Sequence, residues 1–285
     1  MKRISYAQNA EDIRLERLFS GQATGFWVDI GAHDPVHFSM TKRFSDRGWT
    51  GINVDASPRQ YALLAAGRPK DQNLNVGVSD RDGTLTFFEA FDQYAGLSTF
   101  SSEEAARHVA AGFPFREVPI PVVTLSRLLD EHAAGRTIDF LSVDVEGHEA
   151  ASLAGLDLTR HRPRVLVVEA TRPLSRECTH DEWEPRVLAH DYRFASFDGL
   201  NRWYVRSEDA ALAAQLELPM CSHDDYVPWE FQSEIEDLKQ KLAAAMSDQP
   251  AAVRVASLLR ETLSDVPGGL LSVRRFVQST LGKKR

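Results

Sequence analysis

Short runs of continuous apolar residues alternate along this chain with stretches whose apolar positions recur every three or four residues. The runs at 26–30, 51–55, 73–78, 138–145, 164–170, 192–198 and 201–206 predict strands. Helical spacing falls between most of them, at 10–19, 58–66, 126–132, 148–153 and 181–190. Nearly unbroken apolar strands alternating with helices predict a parallel sheet covered on both faces. Only "DGLN" (198–201) joins the last two runs, too short for a crossover helix, so these two pair antiparallel. The expected fold class is α/β: a doubly wound, Rossmann-like, mostly parallel seven-stranded sheet with an antiparallel last strand. A second, smaller β element is expected over 84–123, around a helix at 102–111, and Thr124 is placed to cap the helix after it.

The pattern changes after about Asp225. In "FQSEIEDLKQKLAAAM", Phe231, Ile235, Leu238 and Leu242 form one helical stripe, at most two heptads long. Two regions are therefore expected, a catalytic domain over 1–229 and a helical C-terminal extension over 230–285. Residues 251–285 carry seven basic side chains (Arg254, Arg260, Arg274, Arg275, Lys283, Lys284, Arg285) against Glu261 and Asp265, a difference of +5. That sign opposes the rest of the chain, and "LLSVRRFVQSTLGKKR" is amphipathic. A helical cap packed on its own domain or an oligomer seam, with a homodimer as the expected assembly, is the plainer use of this tail, and contact with a partner enzyme or an anionic membrane surface the other.

Composition narrows the classes. With 43% hydrophobic and 26% charged residues, the chain is that of an ordinary globular protein. A formal net charge of -8 argues against a nucleic-acid partner, which needs a basic face. Cys178 and Cys221 form neither a disulfide framework nor a metal pattern. No window reaches the roughly 20 apolar residues that span a bilayer, and the first residues lack a signal-peptide core, so a cytoplasmic location is expected.

Candidate chemistry gathers where strands end. "FWVDIGAHDP" (26–35) is an apolar strand turning at Gly31, and "GINVDASP" ends on Asp55, 26 positions after Asp29. In a doubly wound sheet such ends meet beside the first crossover, where nucleosides bind and a carboxylate accepts ribose hydroxyls. A third turn, "VGVSDRDG" (76–83), offers Ser79 or Asp80 to an adenine edge. The dinucleotide fingerprint needs two further glycines for a pyrophosphate, but His33, Asp34 and Pro35 follow Gly31. A phosphate-free nucleoside with a cationic sulfonium, S-adenosylmethionine, suits Asp29, Asp34 and Asp55 better than NAD.

Three later strands also end in acids: Asp144, Glu169 and Asp198. Converging carboxylates repel unless protonated or bridged, so a hard divalent ion, Mg²⁺ or Mn²⁺, is the expected partner of these three. Such an ion would orient a sugar hydroxyl for attack on a methyl group. His148, at the mouth of the next helix, is the first candidate for general base, and Glu146 the second. Two other readings remain open: an NAD-dependent sugar oxidoreductase on the same sheet, and a non-catalytic scaffold for a glycan or partner enzyme.

Several blocks, in order, resemble the FkbM-type methyltransferases of the branch associated with polysaccharide and glycan biosynthesis. They are "SYAQNAEDIRL", "FWVDIGAHDP", "DRGWTGINVDASP", "GLSTF", "IDFLSVDVEGHEA", "VVEATRP", "WEPRVLAHDYRFASFDGLNRWYV" and "DDYVPWEF", spanning about residues 4 to 229. The resemblance implies S-adenosylmethionine as donor and an O-methylated sugar or polysaccharide hydroxyl as product. By position it implies a donor site at Asp29, Gly31, Asp55, Ser79 and Asp80, with Gln8 lying over it, and a divalent metal at Asp144, Glu169 and Asp198. Where the family often reads "KIDVEGAE", this chain has Ser142 and His148 in place of the Lys and the Ala, and His33 stands where Asn is usual.

Overall fold

The computed structural model describes residues 3–247. The first half runs β1 (Arg3–Ser5), α1 (Glu11–Leu18), β2 (Phe26–Ile30), α2 (Lys42–Asp46), β3 (Thr50–Asp55), α3 (Pro58–Gly67), β4 (Gln72–Asn75), β5 (Gly77–Ser79), β6 (Gly83–Ala90), α4 (Ser102–Ala110) and β7 (Phe115–Thr124). The second runs α5 (Leu125–His132), β8 (Phe140–Val143), α6 (Glu149–Ala154), β9 (Val165–Glu169), α7 (Glu184–Leu188), β10 (Tyr192–Phe197), β11 (Asn201–Arg206), α8 (Ala213–Leu216), β12 (Tyr226–Pro228) and α9 (Trp229–Ser247).

The fold is mixed α/β around a large, parallel-rich sheet. Its strand order is β10-β11-β9-β8-β2-β3-β4. Strands β2, β3, β4, β8 and β9 run parallel, and β11 pairs antiparallel with both β9 and β10. Every residue of β2, β8 and β9 is buried. Alternation along these strands explains why they read as unbroken apolar runs. Val28, Ile30, Leu141, Val143, Leu166 and Val168 enter one core with Leu125, Leu128 and Leu153 of α5 and α6. Trp27, Phe140, Val165 and Val167 enter a second core with Leu15, Leu18, Phe44 and Leu216 of α1, α2 and α8. Each strand thus buries both its faces under helices.

Local capping follows the sequence. The Thr124 hydroxyl accepts the N–H of Arg127 at 3.2 Å, and Ser57, before Pro58 at the first helical position, accepts that of Gln60 at 3.4 Å. The expected strand at 73–78 divides instead. Its first part stays in the large sheet as β4, and Gly77–Ser79 crosses to a three-stranded sheet of order β5-β7-β6. Gly77 permits this, because a β-carbon there would lie 2.4 Å from the Phe100 ring. The helix expected at 181–190 breaks at Trp183 into a short 3-10 turn and α7. A two-stranded parallel pairing of β1 with β12, which no short-range pattern announced, ties Arg3–Ser5 to Tyr226–Pro228.

The chain divides into two units, residues 1–229 and 230–285. In the described part of the second, Lys239 and Lys241 pair with Glu236 and Asp237 at 2.7 and 2.6 Å. The basic tail singled out above, 251–285, lies outside the described residues. No helix among the described residues is long and apolar enough to cross a membrane.

Candidate active site

The carboxyl ends of β2, β3 and β8 open onto one cavity of about 490 Å³. The chain leaves β2 through Gly31, whose φ is +88°. Both Gly31 and Ala32 donate their N–H to the Val54 carbonyl, at 2.9 and 3.1 Å, so the turn folds back against β3. A β-carbon on Gly31 would stand 1.7 Å from the Asp144 carbonyl oxygen, which makes glycine obligatory on two counts.

Asp55 lines the cavity at the end of β3. Its two oxygens accept the N–H groups of His33 at 2.9 Å and Ser57 at 2.8 Å, and each keeps further acceptor capacity. Burial pushes its pKa up to about 7, against the pull of those two donors. Val76, Gly77 and Val78 add an apolar wall beside it, and Gln8 contributes from the N-terminal segment. Gln93, Ser98 and Phe100, from the chain joining β6 to α4, line the cavity as well.

The stretch between β8 and α6 carries four ionisable side chains, Asp144, Glu146, His148 and Glu149. Asp144 and Glu146 line the cavity; Glu149 serves the loop itself, accepting the N–H of Val145 at 3.0 Å and of Gly147 at 3.2 Å. That brace holds Glu146 at φ +54° and Gly147 at φ +91°. The Thr99 hydroxyl donates to the Glu146 carbonyl at 2.8 Å, fastening the loop to the "GLSTF" segment. The carboxyls of Asp144 and Glu169 are hydrogen-bonded to each other. Burial raises both, Asp144 to about 6, and burial with neighbouring acids raises Glu146 well above the usual carboxylate range.

The expected metal trio is corrected. Asp198 is spent on its own turn: its carboxyl accepts from Leu200 N at 2.9 Å, Asn201 N at 2.7 Å and Trp203 Nε1 at 2.7 Å. Among the described residues no three His, Cys, Asp or Glu side chains are grouped so as to hold a metal ion. The donor set thus does not fit Mg²⁺ or Mn²⁺ at Asp144, Glu169 and Asp198.

Other candidates are relocated. Asp29 is off the cavity wall, a strut that accepts the Ser142 hydroxyl at 2.5 Å and that of Thr41 at 3.2 Å. Ser142 is thus spent on β2. Ser79 is 1% exposed, and its hydroxyl bonds Asp80 and His148 Nε2, both at 3.2 Å. Neither Ser79, Asp80 nor His148 lines the cavity; the His148 ring packs 5.4 Å from that of Phe100, and burial lowers its pKa. Of the eight residues named for the donor and for catalysis, the structure brings Gln8, Gly31, Asp55 and Glu146 into one wall, together with Asp144 of the expected metal trio. The sequence reading missed His33, whose Nδ1 lies 2.9 Å from Gln60 Nε2, and the Gln93–Phe100 segment.

A model of the methyltransferase FkbM domain matches residues 29–194, more than half of the chain. The chain belongs to the FkbM-domain methyltransferase family. Its match takes in β2 through the start of β10, including Gly31, Asp55 and the acidic loop, and the family implies S-adenosylmethionine as its typical methyl donor. The chain is also similar to the multifunctional CCA protein of Aromatoleum aromaticum, 29% identical over 178 residues, which covers 59% of this chain and 41% of that protein. It thus spans less than half of that relative's length.

Proposed function

We propose that this methyltransferase moves a methyl group from S-adenosylmethionine to a hydroxyl of a sugar or polysaccharide unit. One observation carries the reading: Gly31, Asp55, Asp144 and Glu146, from three separate strand ends, share the wall of a single cavity of about 490 Å³. That volume suits a nucleoside-sized ligand. The parallel sheet with its antiparallel final strand supports a doubly wound, Rossmann-like scaffold, in which ligands bind beyond the carboxyl ends of the strands.

The residues present fit such a donor. Gly31 lets the turn pack against the Asp144 backbone at the cavity wall, and Asp55 keeps lone pairs for ribose hydroxyls after accepting its two N–H groups. Asp34, Asp55 and Asp144 suit a cationic ligand. Bound S-adenosylmethionine supplies an electrophilic methyl on a sulfonium. Asp144, on the wall and with a pKa of about 6, is the proposed general base: a carboxylate oxygen accepts the acceptor's hydroxyl proton as the new O–C bond forms. Glu146, held more firmly protonated by its burial, orients the acceptor by hydrogen bonding. His148, bonded to Ser79, supports the loop.

Isothermal titration of the full chain with S-adenosylhomocysteine tests the donor half, with binding expected to be indifferent to Mg²⁺. Asp55→Ala is expected to weaken binding at least about tenfold, the loss of a charged hydrogen-bonding partner. Absence of binding to the unaltered chain would remove the reading.

A further inference from the structure

Phe38 stands at the cavity wall with φ +56° and 45% of its surface exposed. For a bulky residue this left-handed conformation is strained, and exposure means that burial offsets little of that strain. Both flanks hold the residue there. Asp34 Oδ1 accepts the N–H groups of Val36 and His37, each at 2.8 Å. On the other side, the buried hydroxyls of Ser39 and Thr41 accept from Arg68 Nη1 at 3.0 and 2.8 Å. The His37 ring stacks on Phe38 with centroids 3.8 Å apart and meets Trp229 edge-on at 5.9 Å. One face of Phe38 is thereby backed by His37, and Phe38 lines the cavity.

The charge of that cavity limits what can lie against the ring. Four carboxyls, Asp34, Asp55, Asp144 and Glu146, line it against a single guanidinium, Arg59. A second anion brought in beside them would be repelled by whichever of these carboxyls are ionised, in a partly desolvated space. An uncharged sugar ring has the opposite profile. Its C–H face suits the negative face of an aromatic ring, and its hydroxyls donate to carboxylates and amides.

Resting on the methyl-transfer reading, we propose that Phe38 is the acceptor platform, and that it selects an uncharged pyranose over uronic acids and phosphorylated sugars. The sugar lays its C–H face on the Phe38 ring, backed by His37, and turns its hydroxyls to Gln8 and Glu146. The strained backbone presents the ring to the cavity instead of the core.

Saturation-transfer NMR on the full chain, saturated with S-adenosylhomocysteine, tests this with methyl α-mannopyranoside, methyl β-glucopyranoside and methyl β-glucuronide as probes. At least one neutral glycoside is expected to receive saturation at its ring protons, and the glucuronide none. Phe38→Gly relieves the backbone and should leave the melting temperature equal or higher, while the neutral glycoside's Kd rises at least about fivefold. Phe38→Trp should restore binding. The proposal is overturned if Phe38→Gly binds the glycoside as well as the unaltered chain, if the glucuronide binds equally, or if none of the three probes binds the loaded protein. Failure of S-adenosylhomocysteine itself to bind by calorimetry would instead overturn the methyl-transfer reading.

Discussion

The backbone carbonyl of Asp144 occupies the space that a side chain on residue 31 would need, 1.7 Å from the position of its β-carbon. The turn that opens the cavity and the strand that delivers the acidic loop are therefore packed backbone to backbone. Gly31→Ala is expected to destabilise the fold by about 3 kcal/mol, from the clash and from the φ of +88° together. Urea unfolding reads this directly. S-adenosylhomocysteine affinity should fall in the same variant even where it remains folded.

Stability should rise on mild acidification. Glu11, Asp55, Glu149 and Asp144 are held by burial at about 8, 7, 7 and 6, above their ordinary values of 4.5, 3.8, 4.5 and 3.8. A carboxyl raised in the folded state binds more protons there than in the unfolded chain, so stability falls as pH climbs from the unfolded value through the folded one. The melting temperature is expected to be highest near pH 5 and to decline toward pH 8. Glu11→Gln removes one such group, and the slope between about pH 5 and 8 should flatten by up to about 1.4 kcal/mol per pH unit. Calorimetry across that range checks both, and an unchanged slope would reject the assignment to Glu11.

Asp198 is a turn brace. Asp198→Ala leaves three donors without their acceptor and should cost about 2 kcal/mol in urea unfolding. Donor binding in the unaltered chain should be the same with EDTA as with Mg²⁺. A fall in affinity on chelation would restore the metal role that the geometry of Asp198 speaks against.

Asp144→Asn and His148→Ala should separate chemistry from support. The asparagine cannot take the acceptor's proton, so the methyl-transfer rate to a glycoside acceptor is expected to drop about 10²- to 10⁴-fold with donor affinity little changed. His148→Ala should mainly lower the melting temperature, through its lost contacts to Ser79 and Phe100. A larger rate loss in His148→Ala than in Asp144→Asn would return the base to the histidine.

Much of the scaffold was legible because its causes are local. Val28 and Trp27 alternate between two cores by the period of a strand, and an apolar run records that without any knowledge of its partners. Thr124 caps α5 through its own neighbours, and the glycine at 31 and the acid at 55 mark strand ends where this kind of sheet binds ligands.

What the acids do was settled at longer range. The run "DVEGHE" announced ionisable groups but could not apportion them. Glu149 turned inward to hold Val145 and Gly147, Asp144 met Glu169 across to β9, and only Asp144 and Glu146 reached the cavity. Asp198 had the same appearance at a strand end and was consumed by Leu200, Asn201 and Trp203. Gly77 divided an apolar run between two sheets because the Phe100 ring, far along the chain, packs against it. Which element forms is set by neighbours in the chain; which lone pairs stay free for a ligand is set by neighbours in space, once packing has assigned every donor.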